Sequence, residues 1–203
     1  MKTSMLAAVV CVSLSALAAD PASPKDRMVK VGGQGRVVVV NTCGAPRAAL
    51  ETAMRKIGNL LMIETGVVDG RWSFPTARED FGSAGADAAV FVVKNPSLPL
   101  SLVAMEDRWG VVNADGLSEK SIEKEVLRVA TVVLGGASSK YSASAMRPVF
   151  SKEDLETKAG EVMTFDSLMA IFTYLPEMGI RQYRLMTRED ALEEGLIKAD
   201  DAK

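Results

Sequence analysis

The sequence predicts an α/β (α+β) domain. It consists of a mixed sheet of about four to five strands with an edge hairpin, one helix after the first sheet strand, a buried central helix and C-terminal helices. Three observations predict it. Residues 36–41, "RVVVVN", are a continuous β-branched run of strand length, as in a strand buried on both faces. Residues 45–61, "APRAALETAMRKIGNLL", place Ala49, Leu50, Ala53, Met54, Ile57, Leu60 and Leu61 at helical spacing, with Glu51, Arg55 and Lys56 on the other side. From Ser118 a second helical pattern begins polar and ends apolar on nearly every side, so this helix enters from the surface and ends inside the protein.

The elements follow in order. After the first helix, "MIETGVV" (62–68) reads as a second strand, and strand, helix and strand together suggest a parallel βαβ unit. Residues 69–87 read as a long loop around Trp72 and Phe74, and "AAVFVVK" (88–94) as a third strand. "NPSLPL" is a turn with two prolines, and "SLVAMEDRWGVVNADGL" offers one or two further strands, most clearly 108–114, as a hairpin at the sheet edge. Ser118, with Ser121 as the alternative, caps the central helix. Its stripe is Ile122, Val126, Val129, Ala130, Val133 and Leu134, its early turns carry Glu119, Lys120, Glu123, Lys124 and Glu125, and Gly135-Gly136 stops it. Residues 151–156 form a short capped turn, 164–175 a helix stopped by Pro176, and 187–197 a last helix capped by Thr187, with Asp190 completing a capping box of carboxylate type.

Residues 1–19, "MKTSMLAAVVCVSLSALAA", have the layout of a secretory signal peptide: a Lys, an apolar run, then small residues with cleavage expected after Ala18 or Ala19. The protein is therefore expected to be exported, to a periplasm or the extracellular space. Residues 20–35, rich in Pro, Ser, Gly and charge, read as a flexible linker, and 36–203 as a single domain. The Gly32–Gly35 cluster precedes a strand, the wrong order for a phosphate-binding loop. Without residues 1–19 the chain loses one Lys and no acid, so the net charge goes from -2 to -3. No cluster of basic residues calls for a nucleic-acid partner, and no second apolar segment is long enough to span a membrane. A hydrophobic content of 48% with clear periodicity argues against disorder.

Cys43 is the only cysteine after the leader, so no intramolecular disulfide is available, and its place after an apolar strand suggests a small buried residue. There is no histidine in the chain. That excludes Ser-His-Asp and Cys-His catalysis and any histidine-held zinc. Carboxylate, Lys or Tyr chemistry remains, or binding alone. Glu106-Asp107 beside Trp109, and Glu79-Asp80 in the aromatic loop, are the acidic pairs a glycan hydrolase could use, but neighbouring acids point apart on a strand and neither pair alone is a dyad. The "SSKYSAS" loop lacks the Ser-x-x-Lys spacing of a histidine-free acyl enzyme and suits a binding surface better.

The order of elements, the "ATVVLGGASS" helix end and the "SAMRPVF" turn resemble the zincin metalloproteases, in particular the metzincins and archaemetzincins, over roughly residues 36–156. In those the interior helix carries H-E-x-x-H, often H-E-L-G-H, and a Met-turn lies beneath the metal. Matching Leu134-Gly135 to the Leu-Gly of that pattern puts Val132 and Gly136 at the two histidines, Val133 at the glutamate and Met146 at the Met-turn. The resemblance implies a zincin-like shell with every metal ligand and the general base missing, and so no cofactor and no enzymatic activity. It also implies that a peptide or protein could lie along residues 101–114 by adding to an edge strand, facing the 137–147 loop. The candidate binding surface is Met105, Asp107, Trp109, Ser139, Tyr141 and Arg147. The alternatives are a histidine-free glycan hydrolase working through carboxylates such as Glu106 or Asp107, and a purely structural secreted protein.

Overall fold

The computed structural model describes residues 27–71, 85–157 and 160–198. The leader and the loop around Trp72 and Phe74 lie outside the described residues. Along the chain run β1 (Met28–Val31), β2 (Arg36–Asn41), α1 (Arg47–Leu61), β3 (Glu64–Asp69), β4 (Ala88–Val93), β5 (Ser101–Ala104), β6 (Trp109–Asn113), α2 (Glu119–Val133), α3 (Lys152–Thr157), α4 (Phe165–Tyr174), β7 (Arg184–Thr187) and α5 (Arg188–Glu193).

Five strands form one mixed sheet in the order β3-β2-β4-β6-β5. The first four are mutually parallel, and β5 runs antiparallel at the edge, as the sequence predicts for an edge hairpin. The valine run of β2 lies inside the sheet because each face of the strand has its own apolar partners. Val37 and Val39 join Val90, Val92 and Val112 in a core shared with α1 and α2. Val38 and Val40 join Ala89, Phe91, Trp109 and Val111 on the opposite face. A strand flanked by apolar residues on both faces reads as a continuous hydrophobic run instead of an alternation.

Helix α1 buries the predicted stripe through Leu50, Ala53, Met54, Ile57 and Leu61, but leaves Leu60 exposed. The chain turns into it through Asn41, whose side chain donates to Ala45 O at 3.0 Å and accepts from Ala45 N at 2.9 Å. At the other end the C-terminal segment satisfies free helix carbonyls: Gln182 Nε2 donates to Leu61 O at 2.7 Å, and Tyr183 N to Met62 O at 2.7 Å.

Two strands differ from the sequence reading. Residues 28–31, inside the segment expected to be a linker, pair antiparallel with β7 in a separate two-stranded sheet. Val29 and Val31 turn inward there while Met28 and Lys30 stay exposed, which is strand alternation, but the partner strand lies near the far end of the chain. The last helix is shorter than expected and stops at Glu193, ahead of Gly195 at φ +69; Thr187 Oγ1 caps it by accepting from Asp190 N at 3.1 Å.

Helix α2 lies across β4, β5 and β6 and packs against α1. Its Ser118 cap is formed, with Ser118 Oγ accepting from Ser121 N at 3.2 Å. The approach to the sheet is closest over Gly110, where an added Cβ would lie 2.5 Å from Val129 Cγ1 and 3.1 Å from Val133 Cγ2. Gly110→Ala must therefore push helix and strand apart. It is expected to cost about 1–3 kcal/mol, as overpacking does, and to lower Tm by roughly 2–4 °C for each kcal/mol. Thermal unfolding of the variant against wild type checks this.

Candidate functional site

The interior end of α2 is where a metal motif would stand. Helix α2 closes in a Schellman turn: Gly135 N bonds Val132 O at 2.9 Å and Gly136 N bonds Thr131 O at 2.8 Å, with Gly135 at φ +87. Val133 and Leu134 have no solvent exposure, and Val132 is half-buried. A Cβ on Gly135 would lie 2.8 Å from the Tyr174 side chain, and one on Gly136 2.5 Å from Thr131 Cγ2. These five residues are thus explained by packing and chain reversal. None carries a side-chain nitrogen, oxygen or sulfur, so they do not fit a zinc ion, which takes N, O or S donors. Among the described residues no group of three or more His, Cys, Asp and Glu side chains could hold a metal.

The second component is the edge. Within the described sheet β5 has β6 as its neighbour on one side, and its other side is free. Asn113 N bonds Leu100 O at 2.9 Å at the start of the hairpin, and the register then pairs Ser101 with Val112 and Val103 with Gly110. Bonded and non-bonded pairs alternate along an antiparallel ladder. Leu100, Leu102 and Ala104 therefore turn their amides and carbonyls toward β6, and Ser101 and Val103 turn theirs outward. The Val103 side chain is 38% exposed, and Met105, at the start of the hairpin turn, is 43% exposed.

Sequence reasoning missed the group beneath this edge. Glu125, read as one of the polar early-turn residues, is fully buried, and Arg128 one turn later pairs with it and reaches Ser101 on β5. The available signal was the spacing of three between an acid and an arginine on a helix that is becoming buried.

The serine loop is built around Met146, which is buried. Ser139 N donates to Met146 O at 3.0 Å, and Met146 N donates to Ser144 Oγ at 3.0 Å. Tyr141 is exposed at 70%, while Ser139 and Arg147 are half-buried. The loop runs beside residues 160–162, with Val162 N bonding Ala143 O at 3.0 Å and Ala145 N bonding Val162 O at 2.9 Å. Glu161 in turn meets Lys56 of α1 at 2.7 Å and Lys120 of α2 at 2.6 Å.

Of the other candidate residues, Trp109 is not a surface group: it is 7% exposed and packs into the apolar cluster with Phe91 and Val111. An aromatic opening a strand has gone into the sheet's core, so it leaves the binding surface. Asp107, with Glu106, sits exposed in the turn between β5 and β6. Glu79 and Asp80 lie outside the described residues. Cys43 is half-buried, and that burial pushes its thiol pKa up, away from the reactive thiolate.

No protein-family profile matches the chain, and no curated protein matches it in sequence. Solved structures do match. A zinc-dependent peptidase from Methanocorpusculum labreanum superposes with a TM-score of 0.50 at 9% identity, over 66% of this chain and 99% of that one. An archaemetzincin from Methanopyrus kandleri superposes with a TM-score of 0.55 at 10% identity, over 70% of this chain and 96% of that one. The fold is zincin-like, as the sequence resemblance implies. The same finding corrects the expectation that the chain is no enzyme. Its fold is shared by a zinc-dependent peptidase, and missing histidines at one helix end do not establish inactivity.

The Glu161 pairs make the site's frame acid-sensitive. The ammonium groups of Lys120 and then Lys56 hold the Glu161 carboxyl at about 2, below its ordinary 4.5. A lowered folded-state pKa stabilises the fold fully above the ordinary value, and that contribution is lost as pH falls from 4.5 toward 2. Glu161→Gln should therefore show a shallower loss of Tm across this acid window than wild type, which melting curves at stepped pH will check.

Proposed function

We propose that the protein is an exported polypeptide-binding protein of zincin-like fold, and that an extended segment of its partner adds as a strand to the free edge of β5. Export rests on the leader-like residues 1–19. The binding mode rests on one observation: β5 is a short antiparallel edge whose outward amides and carbonyls belong to Ser101 and Val103. This reading covers how a polypeptide is held, not what is then done to it.

Magnitudes say what such binding requires. Two outward residues offer up to four backbone hydrogen bonds, worth roughly 2–6 kcal/mol in total at 0.5–1.5 kcal/mol each. Micromolar affinity needs about 8 kcal/mol. The difference has to come from side-chain contacts, and the half-exposed Val103 and Met105 supply apolar surface beside the edge. Apolar residues on one face of the bound segment are therefore favoured.

Proline distinguishes the two sides of β5. On an edge strand it is tolerated where the amide faces away from the sheet. Val103→Pro should keep the fold by circular dichroism while removing the outward N–H needed for strand addition. Decapeptides selected from a displayed random library on wild type are expected to lose binding to this variant. Equal binding to both proteins, or no enrichment on wild type, would refute the edge-strand reading.

A further inference from the structure

Arg128 is the side chain that attaches β5 to α2. Its Nη2 lies 2.7 Å from Ser101 Oγ, its Nε lies 2.9 Å from Glu125 Oε2, and Nη2 also meets Glu125 Oε1. The Glu125 side chain has no exposure and that of Arg128 is 16% exposed. A carboxylate without water needs a close, hydrogen-bonded cation, and the planar guanidinium meets it with two parallel donors. Held this way, the guanidinium has little freedom left, and the Nη2 group that serves Glu125 also reaches the strand.

The other restraints on the strand are its ladder to β6 and the packing of Leu102 and Ala104 against the second apolar cluster. β5 is four residues long, with a ladder partner on one side. Ser101 turns its backbone groups outward, and its hydroxyl is held by Arg128. The next outward residue, Val103, sits two positions along the same four-residue strand.

We propose that Arg128 is a positioning residue for polypeptide addition: clamped by Glu125, it fixes Ser101 and thereby the register and height at which β5 presents its free edge. This rests on the edge-strand reading above. An ion pair that merely stabilised the fold would change the melting temperature without loosening this one strand.

Two variants test it. Ser101→Ala removes the strand-side group and leaves the ion pair whole. The double variant Glu125→Met with Arg128→Met removes both charges, so no unpaired buried carboxylate remains. Amide hydrogen exchange over residues 101–104 and 88–93 is measured in each. So is affinity for the tightest decapeptide selected on wild type. Both variants should exchange faster at 101–104 and unchanged at 88–93, and bind the decapeptide roughly tenfold more weakly, the effect of one lost charge-assisted hydrogen bond. Wild-type protection and affinity in Ser101→Ala would overturn the proposal; this variant decides alone if the double variant does not fold. If wild type enriches no decapeptide, the edge-strand reading is what fails. Exchange at 101–104 then still decides whether Arg128 holds the strand: unchanged exchange overturns that role too.

Discussion

Gly110 lets α2 lie closer to the sheet than a residue with a side chain would, and much of the remaining structure takes its position from α2. A Cβ at residue 110 would sit 2.5 Å from Val129, inside van der Waals contact. With the hydrogen in its place, Val129 and Val133 of α2 pack directly over β6, and Leu134 just beyond has no solvent exposure. Its Schellman turn then reverses the chain, and Gly135 lies flat against Tyr174 at the end of α4. Ser167 of α4 donates to Ala137 O at 2.7 Å just beyond, so the first residues of the serine loop are also referred to α2. Two glycines thus set where a helix sits and where it ends, each because a neighbouring group occupies the space of a methyl.

Polar groups attach the surroundings to this helix on two sides, with unequal consequences. Toward α1 and residue 161, Lys56, Lys120, Glu123 and Glu161 form a partly exposed network. Exposed pairs contribute about 0–1 kcal/mol each, and water can replace any of them. Toward β5, the carboxylate of the Glu125–Arg128 pair is out of water, and losing Arg128 costs about 3–5 kcal/mol because that charge is stranded. Such a pair adds little net stability over an apolar replacement. What it adds is direction: a rigid fork in a fixed place, with a donor that reaches β5.

The sheet, both long helices and the interior end of α2 were legible because their signals are local. "RVVVVN" is short, β-branched and unbroken; the stripe from Leu50 to Leu61 has one period; Gly135-Gly136 follows the last apolar turn. The pairing of β1 with β7 was not legible. Four residues of "MVKV" lie among Pro and Gly, and their partner is a four-residue strand near the other end of the chain, so no local pattern connects them. Trp109 was placed on the candidate binding surface, yet β6 begins at that residue and alternation turns it into the second core. Glu125 was read as one of the polar early-turn residues, and only the packed structure shows that this carboxylate is inside. Burial of a charge is a tertiary fact, and sequence records it only as a nearby opposite charge.

The residues that determine this fold and those that could engage a partner are largely different atoms. Gly110, Gly135 and the alternating valines of β2 and β4 set the architecture and carry no reactive group, so a zincin-like shell can stand over very different chemistry. Side-chain inventories, histidine above all, speak to chemistry and bear on which reactions are open. They are silent on the edge of β5, because the groups exposed there are main-chain amides and carbonyls that every non-proline residue possesses. Their availability depends on which strand is last in the sheet and on what holds it flat. Both are properties of topology and packing, here of an antiparallel edge strand and of the arginine proposed to position it.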